Sequence, residues 1–246
     1  MDNLFISAAS GMRARMESLD LLANNIANAN TAGFKTDREF YNLYVAPEAT
    51  DGGGSSAAVL PVVEKHWTDF SQGPLAPTGN STDLAISGKG FFVVKGTNGT
   101  LYTRNGNFRV GAGGQLQTQD GMPLLGQNST PIKVDETKLF SVGTDGSVTQ
   151  DGQTLDRLQL ADFDNSAAPE KVGSSYFRLS NVQGIVKAAE AAQVQQGRLE
   201  GANSSPAEAA VRLVDVMRQF DMLQRAMSLG SEMNRKAVEE VAKVSS

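Results

Sequence analysis

The chain has 246 residues, of which 40% are hydrophobic and 20% charged, and it carries a formal net charge of −5 with no cysteine. This composition is typical of a globular protein with enough chain for one large or two modest domains, and it excludes disulfide bonds and thiolate metal sites. The acidic balance argues against nucleic-acid binding, and the absence of any run of roughly 18 apolar residues predicts no membrane insertion.

Residues 1–35 are predicted to form an N-terminal assembly helix. Apolar or small residues recur there with alternating spacings of four and three, which is the heptad seam of a helix packed along another helix. Gly33 predicts a reversal of the chain after this helix. The seam comprises Phe5, Ala9, Met12, Met16, Leu19, Ala23 and Ile26.

Four asparagines, Asn24, Asn25, Asn28 and Asn30, crowd the end of this segment. Asparagine suits helix ends because its amide competes for backbone hydrogen bonds, but four amides exceed the needs of one cap. Asn24, Asn25 and Asn28 share one helix face, where they could meet amides of neighbouring chains and set the register of packing. Capping with solvated amides is the alternative.

The middle of the chain predicts a linker followed by a β domain. Residues 36–66 form a flexible or extended linker, because a Gly/Ser tract at 52–56 has no hydrophobic periodicity. Residues 67–203 predict an all-β domain, since short β-type runs alternate with pairs that favour type I′ turns with positive φ at both central residues. The pairs are Asn98–Gly99, Asn105–Gly106, Asp120–Gly121, Asp145–Gly146 and Asp151–Gly152.

Residues 204–246 predict a C-terminal assembly helix that pairs with residues 1–35. Ser205 is the expected N-cap and Pro206 the first helical residue. Glu208, three residues after the cap, completes the capping-box pattern. The helix has about 38 residues and a length of roughly 57 Å. Its seam comprises Ala209, Leu213, Val216, Phe220, Leu223, Met227, Gly230, Asn234, Ala237, Val241 and Val244.

The predicted fold is of the α+β class: N- and C-terminal helices form a coiled coil, with an inserted all-β domain of short antiparallel strands. Apolar residues outside the seams indicate a second apolar surface on each helix, which favours packing against several partners. A single wide stripe facing the core of a larger bundle is the alternative. The residues outside the seams are Leu4, Ala8, Leu22 and Ala27 at one end, and Val211, Val214, Met217, Met222 and Ala226 at the other.

No motif predicts a catalytic, cofactor-binding or metal site. His66 is the only histidine, so a Ser-His-Asp triad would depend on it, and a packing or surface role is the simpler interpretation. The string "ISGKG" fails as a phosphate loop, because Asp83 and Gly90 stand where that motif needs Gly and Ser or Thr. The string "DFDN" lacks the glycine and distal glutamate of a calcium loop. A pair of carboxylates for glycoside hydrolysis stays open, because the relevant distance is spatial.

Four strings carry a resemblance to a known family: "ANNIANANTAGFK", "TGNSTDLAISGKGFFVV", "LYTRNGNF" and "EGANSSPAEAAVRLVDVMRQFDMLQRAM". In their order and spacing they resemble the flagellar basal-body rod and hook protein family. The resemblance implies that the terminal helices pack into an inner tube of coiled coils, with β domains outside, and that subunits polymerise helically through the periplasm. It also implies export in an unfolded state through the flagellar type III apparatus, without a cleaved Sec signal.

The resemblance predicts a structural subunit of the bacterial flagellar rod, not an enzyme, that transmits torque. The implied partners are copies of itself, other rod proteins and the export apparatus, with no cofactor. The short segment from Thr36 to Lys65 and the start "MDNLF" are more similar to proximal-rod than to distal-rod members. A distal-rod or other axial protein is the first alternative, and a cell-wall-binding or hydrolytic β domain the second. The predicted assembly interface comprises Phe5, Ala9, Met12, Met16, Leu19, Ala23, Asn24, Asn25, Ile26, Asn28, Leu213, Val216, Phe220, Leu223, Met227, Asn234, Ala237 and Val241.

Overall fold

The computed structural model describes residues 2–45, 59–163, 169–173, 175–179, 186–189 and 191–244 of the chain. The chain divides into two compact units. Unit 1 consists of Met1–Ala27, Asp37–Thr68 and Ser205–Ser246, and unit 2 of Asn28–Thr36 and Asp69–Ser204. Both ends of the chain therefore belong to the same unit.

Helices lie near the two ends of the chain, and short strands lie between them. The helices are α1, Asp2–Ala27, and α2, Pro206–Val244. The strands of the described residues are β1 Asp37–Val45, β2 Val59–Thr68, β3 Leu75–Pro77, β4 Leu84–Ser87, β5 Phe91–Gly96, β6 Gly99–Thr103, β7 Phe108–Val110, β8 Leu116–Thr118, β9 Phe140–Val142, β10 Ser147–Gln150, β11 Gln153–Arg157, β12 Leu160–Phe163, β13 Glu170–Val172, β14 Tyr176–Arg178, β15 Val186–Ala188, β16 Gln193–Gln196 and β17 Arg198–Glu200. The helices pack against each other, and the ladders between these strands are antiparallel, which confirms the predicted fold class.

In unit 1, strands β1 and β2 form a hairpin beside α1. They pair in antiparallel register from Asp37↔Thr68 to Val45↔Val59, with a bulge between Phe40 and Tyr41. Both strands are rich in β-branched and aromatic residues, which favour extended pairing. The structure therefore differs from the predicted linker over 36–66, while the Gly/Ser tract at 52–56 lies outside the described residues.

The buried face of α1 lies one residue before the predicted seam. The seam residues Ala9, Met12, Met16, Leu19, Ala23 and Ile26 are exposed or half-buried, and the side chain of Phe5 lies outside the described residues. Three small residues, Leu22 and two hydrogen-bonded polar side chains form the buried face instead. The buried residues are Ala8, Gly11, Ala14, Ser18, Leu22 and Asn25.

Two polar residues of this face fasten α1 to β1. Ser18 donates a hydrogen bond of 2.6 Å to the Glu39 carboxylate. Asn25 uses both ends of its amide: Nδ2 donates to the Asp37 carbonyl at 2.9 Å, and Oδ1 accepts from the Asp37 amide at 3.2 Å. The Asn25 side chain thus bonds the carbonyl and the amide of Asp37, as the backbone of an adjacent strand would, and satisfies two backbone groups at the start of β1.

The start of α2 agrees with the sequence prediction. The helix begins at Pro206, the Glu208 amide donates to Ser205 Oγ at 3.4 Å, and the Ala209 amide donates to the Ser205 carbonyl at 3.0 Å. Proline fits the first helical position because it has no amide hydrogen to lose there.

Unit 2 is built around a six-stranded sheet with the order β13-β14-β6-β5-β12-β15. Strand β5 lies inside this sheet and is buried on both faces. Phe92 and Val94 join one apolar cluster, and Phe91 and Val93 join the other. The string "FFVV" therefore supplies the centre of the unit, as a continuous apolar run does when both faces are covered.

The predicted type I′ turns are realised in one clear case. Asp151 and Gly152 both have positive φ, 53° and 77°, between β10 and β11. In the turn of the β5–β6 hairpin, Gly99 has positive φ and Asn98 does not. At the predicted Asn105–Gly106 turn, Gly106 does not have positive φ. A β-carbon at Gly106 would lie 1.5 Å from the Leu84 carbonyl oxygen, so that glycine serves close backbone approach.

A buried ion cluster joins three distant parts of unit 2. Glu200 Oε1 accepts from Lys35 Nζ at 2.6 Å and from the Gly73 amide at 2.9 Å, while its Oε2 accepts from Arg104 Nη1 at 3.0 Å. The Lys35 and Glu200 side chains are fully buried, and that of Arg104 is 4% exposed. Burial lowers the pKa of Lys35 from its ordinary value, and the Glu200 carboxylate opposes that shift.

Backbone carbonyls accept further hydrogen bonds from the two cations of this cluster. Lys35 Nζ also donates to the Ser71 carbonyl at 2.6 Å, and the Arg104 guanidinium donates to the Ile86 and Gly88 carbonyls. The same guanidinium lies 5.3 Å from the centre of the Phe91 ring. Arg104 Nε is buried without a hydrogen-bond partner among the described residues, while the other charged groups of the cluster are paired. Such pairing is what makes buried charge tolerable in a protein interior.

The segments on either side of the cluster are also bonded to each other. The Gly33 amide donates to the Glu200 carbonyl at 2.7 Å. Asn203 Oδ1 accepts from the Thr36 amide, and its Nδ2 donates to the Asp69 carbonyl at 2.6 Å. The "GFK" and "EGAN" strings of the sequence therefore meet in one hydrogen-bonded junction.

We expect Glu200→Ala to lower the free energy of unfolding by about 3–5 kcal/mol, because it leaves two buried cations without their anion. Urea denaturation followed by circular dichroism measures this change. Glu170→Ala, which removes an exposed carboxylate, is the matched control and should change the free energy of unfolding by less than about 0.5 kcal/mol. Equal effects of the two variants would contradict the assigned role of the cluster.

A second prediction compares two glycines that both have left-handed φ, Gly33 at +67° and Gly79 at +75°. Gly79→Ala should cost about 1–2 kcal/mol, because a β-carbon there meets open space and only the backbone conformation is strained. At Gly33 a β-carbon would also lie 2.2 Å from backbone atoms of Arg104 and Asn105, so Gly33→Ala should cost about 3–5 kcal/mol. Chemical denaturation of both variants tests the difference, and equal costs would show that the close approach is not limiting.

Candidate assembly interface

The predicted seam of α2 is the less exposed side of that helix. Ala209 and Val216 are buried, and Ala237 is exposed. The side chains of Val241 and Val244 lie outside the described residues. The remaining seam residues are half-buried: Leu213, Phe220, Leu223, Met227, Gly230 and Asn234.

Large apolar side chains also lie exposed on other sides of α2. Their exposed fractions run from 47% at Val214 to 70% at Val238. Four of the predicted second-surface residues, Val211, Val214, Met217 and Met222, are among them, and the structure adds three that the sequence prediction did not name. The full set is Val211, Val214, Met217, Met222, Leu229, Met233 and Val238.

Four of these side chains form one line, which we call the outer stripe: Val211, Met222, Leu229 and Met233. At about 100° per residue, each lies within about 20° of Met222 around the helix axis. Burying one such side chain is worth about 1.5–3 kcal/mol. Asp215 lies at the same angle between Val211 and Met222, so the line is uninterrupted by charge only from Met222 to Met233. That part marks a surface that a further helix or chain can cover.

On α1 the second apolar surface differs from the prediction. Ala8 and Leu22 were expected on it, but each is only 8% exposed and belongs to the core of unit 1. Met16, a seam residue, is 56% exposed. The reason is the one-residue offset of the buried face, which turns part of the predicted seam towards solvent.

The crowded asparagines take different roles in the structure. Asn25 is buried and bonded to Asp37 within the chain. Asn28 closes the end of α1, since its backbone carbonyl accepts from the Thr31 amide at 3.0 Å and its side-chain Oδ1 accepts from Thr31 Oγ1 at 3.4 Å. Asn24 and Asn30 are exposed. Chain-internal bonding at Asn25 and helix termination at Asn28 account for two of the amides, and a role in register between chains stays a prediction.

The side chains considered as catalytic or metal-binding residues do not form a site in the part of the chain that the structure describes. His66 is exposed beside Trp67, which is 50% exposed and carries Arg38 over its ring. Within the part of the chain that the structure describes, no group of His, Asp and Glu could hold a metal ion. The helices described in the structure are not apolar enough over a sufficient length to cross a membrane.

The cavity of unit 2 has about 620 Å³ and is lined by amide, alanine and leucine side chains together with Thr144, Asp145 and Arg157. Asp145 is the single carboxylate among its described lining residues. Hydrogen bonds from Ser147 lower the pKa of Asp145. Glycoside hydrolysis needs two carboxylates, one of which must stay protonated, so this cavity does not fit that chemistry.

Family models match three parts of the chain. The model described as "Flagella basal body rod protein" matches residues 6–35, and "Flagellar hook protein FlgE/F/G D1 domain" matches residues 85–150. The model described as "Flagellar basal body rod FlgEFG protein C-terminal" matches residues 195–240. The first and last of these cover the terminal segments that meet at the Glu200 junction.

Curated relatives match nearly the whole chain. The flagellar basal-body rod protein FlgF of Caulobacter vibrioides is 35% identical over 246 residues, which cover 99% of this chain and 100% of the relative. The FlgG proteins of Bacillus subtilis and Caulobacter vibrioides are 32% and 30% identical, covering 94% and 92% of this chain and 96% and 95% of the relatives. These findings confirm that the chain resembles flagellar basal-body rod proteins, as the four sequence strings predicted. The chain therefore belongs to the flagellar basal-body rod protein family, and it is a structural rod protein rather than an enzyme.

Proposed function

We propose that this chain is a proximal-rod subunit that polymerises through α1 and α2 into the axial drive shaft of the flagellum, which transmits torque. The outer stripe of α2 carries the proposal, because it offers an apolar contact surface outside the pairing of the two helices. Family membership implies assembly with other rod proteins, and the proposal adds copies of this chain as neighbours.

The contact between subunits is proposed to use two surfaces. One is the outer stripe of α2. The other is the part of the α1 seam that remains exposed or half-buried, including Met12, Met16 and Leu19. Covering both would bury an apolar line on each helix, and many such contacts along a helical array give the stiffness that torque transmission needs.

The proximal position is supported by identity and by length. Caulobacter vibrioides has both proteins, and the chain is 35% identical to its FlgF and 30% identical to its FlgG. The alignment with that FlgG extends over 257 positions, more than the 246 residues of this chain, so the relative carries residues that this chain lacks. The predicted short segment after "GFK" agrees with this difference.

The location and route follow from the same proposal. A rod subunit acts in the periplasmic part of the basal body, and the resemblance implies that the unfolded chain reaches it through the flagellar type III apparatus without cleavage of a Sec signal. The export apparatus is therefore a proposed transient partner.

We expect Leu229→Glu to raise the protein concentration needed for assembly at least tenfold, because it places an unpaired carboxylate in the outer stripe. Gln224→Glu adds the same charge at another exposed position of α2 and should leave that concentration within about twofold of the unsubstituted protein. Sedimentation and electron microscopy at rising concentration measure assembly, and circular dichroism checks that both variants keep their helices. Equal assembly of the two variants would remove the outer stripe from the interface.

A cellular experiment separates the proximal from the distal position. The chain is expressed in Caulobacter vibrioides lacking its own FlgF, and in parallel in cells lacking FlgG. We expect rods visible in isolated basal bodies to be restored in the first strain and not in the second. Restoration only in the strain lacking FlgG would assign the chain to the distal rod.

A further inference from the structure

Two of the four outer-stripe residues are methionines. Met222 and Met233 have 62% and 69% of their surface exposed, and they lie eleven residues apart on the same side of α2. A thioether sulfur is the most readily oxidised group in a chain that has no cysteine. The stripe that is proposed to bind a neighbouring subunit is therefore also an accessible target of oxidants.

Other methionines differ in exposure or in position. Met16 is 56% exposed but lies on α1, in the other proposed contact surface, and Met12, Met122 and Met227 are half-buried. Met217 lies on α2 and is 53% exposed, but it projects about 140° away from Met222 around the helix axis. Only the Met222 and Met233 pair combines high exposure with a place in the outer stripe.

We infer that Met222 and Met233 are a reversible oxidation site through which peroxides prevent assembly of free subunits; this inference rests on the proposed function. In the reaction a sulfur lone pair attacks one oxygen of hydrogen peroxide, the O–O bond breaks, and an S–O bond forms. Water is the other product, so the sulfur is oxidised to a sulfoxide and the peroxide is reduced. The reverse step needs a thiol-dependent methionine sulfoxide reductase.

The chemistry of the sulfoxide explains the block. Its oxygen is a strong hydrogen-bond acceptor, whereas the neighbouring stripe residues Val211 and Leu229 have no side-chain donor. Burial without a donor carries the cost of an unsatisfied polar group. In the free subunit the oxygen is solvated instead, and Arg225 and Lys236 each follow a methionine by three residues, a spacing that places a cationic donor nearby on a helix.

Assembly should protect the site, because a neighbouring subunit covers the stripe. Oxidation would therefore act on subunits before they join the rod and spare those already in it. The effect is a selective exclusion of oxidised subunits from growing assemblies.

The test treats the dilute full-length protein with hydrogen peroxide, removes the oxidant, maps sulfoxides by peptide mass spectrometry and measures the concentration needed for assembly. We expect Met222 and Met233 to be oxidised at least threefold faster than Met227. The oxidised protein should need at least tenfold more protein to assemble, which corresponds to about 1.4 kcal/mol. Methionine sulfoxide reductases should restore the original value.

Two variants locate the effect. In a Met16→Leu background, which removes the exposed methionine of the α1 surface, the double variant Met222→Leu/Met233→Leu keeps the apolar shape and should assemble equally well before and after peroxide. Met217→Leu is the matched control on the same helix and should remain sensitive to peroxide. Unchanged assembly of the unsubstituted protein when both methionines are sulfoxides would overturn the inference alone. A failure of the untreated protein to assemble would instead overturn the proposed function, and the inference with it.

Discussion

The carboxylate of Glu200 is the point on which unit 2 depends. It accepts from Lys35 and Arg104, so one buried anion joins the segments after α1, after β6 and before α2. Removing one partner of a buried charge is strongly destabilising, and here the Gly73 amide gives the carboxylate a further hydrogen bond beside those of the two cations. The junction therefore ties the chain leading from one terminal helix to the chain leading into the other, and it leaves little freedom in where those segments enter unit 2.

Local signals were enough to predict the beginning of α2 and the strand-rich middle of the chain. Ser205 and Pro206 act on neighbouring backbone groups, and the central run "FFVV" needs only burial on both faces. The ion cluster was not predicted, because Lys35 and Glu200 are 165 positions apart and no periodicity links them. The sequence offered one signal for it: Lys35 and Glu200 are charged residues next to small or apolar residues, in the strings "GFK" and "EGAN".

The predicted seam of α1 differs from its buried face for one physical reason. A search for large apolar residues selects Met12, Met16 and Leu19, whereas the buried face includes Gly11 and Ala14 and is held by the side chains of Ser18 and Asn25. Small and polar residues give weak hydrophobic periodicity, so the register of the face is displaced by one residue. The β1–β2 hairpin, which contains the partners of these bonds, was not predicted for a related reason, since the Gly/Ser tract between its strands dominated the composition of the segment.

The lengths of the helices explain why α2 keeps an uncovered surface within a single chain. At 1.5 Å per residue, α1 is roughly 39 Å long and α2 roughly 58 Å, so α1 cannot cover the whole of α2. A heptad seam also drifts by about 20° per repeat around a straight helix, which turns its later members away from the partner. The burial of the seam follows this geometry, from buried Ala209 and Val216 to exposed Ala237. Residues spaced by eleven, such as Val211, Met222 and Met233, stay closer to one line, so the outer stripe keeps an apolar surface from Met222 to Met233, where the chain's own seam runs out.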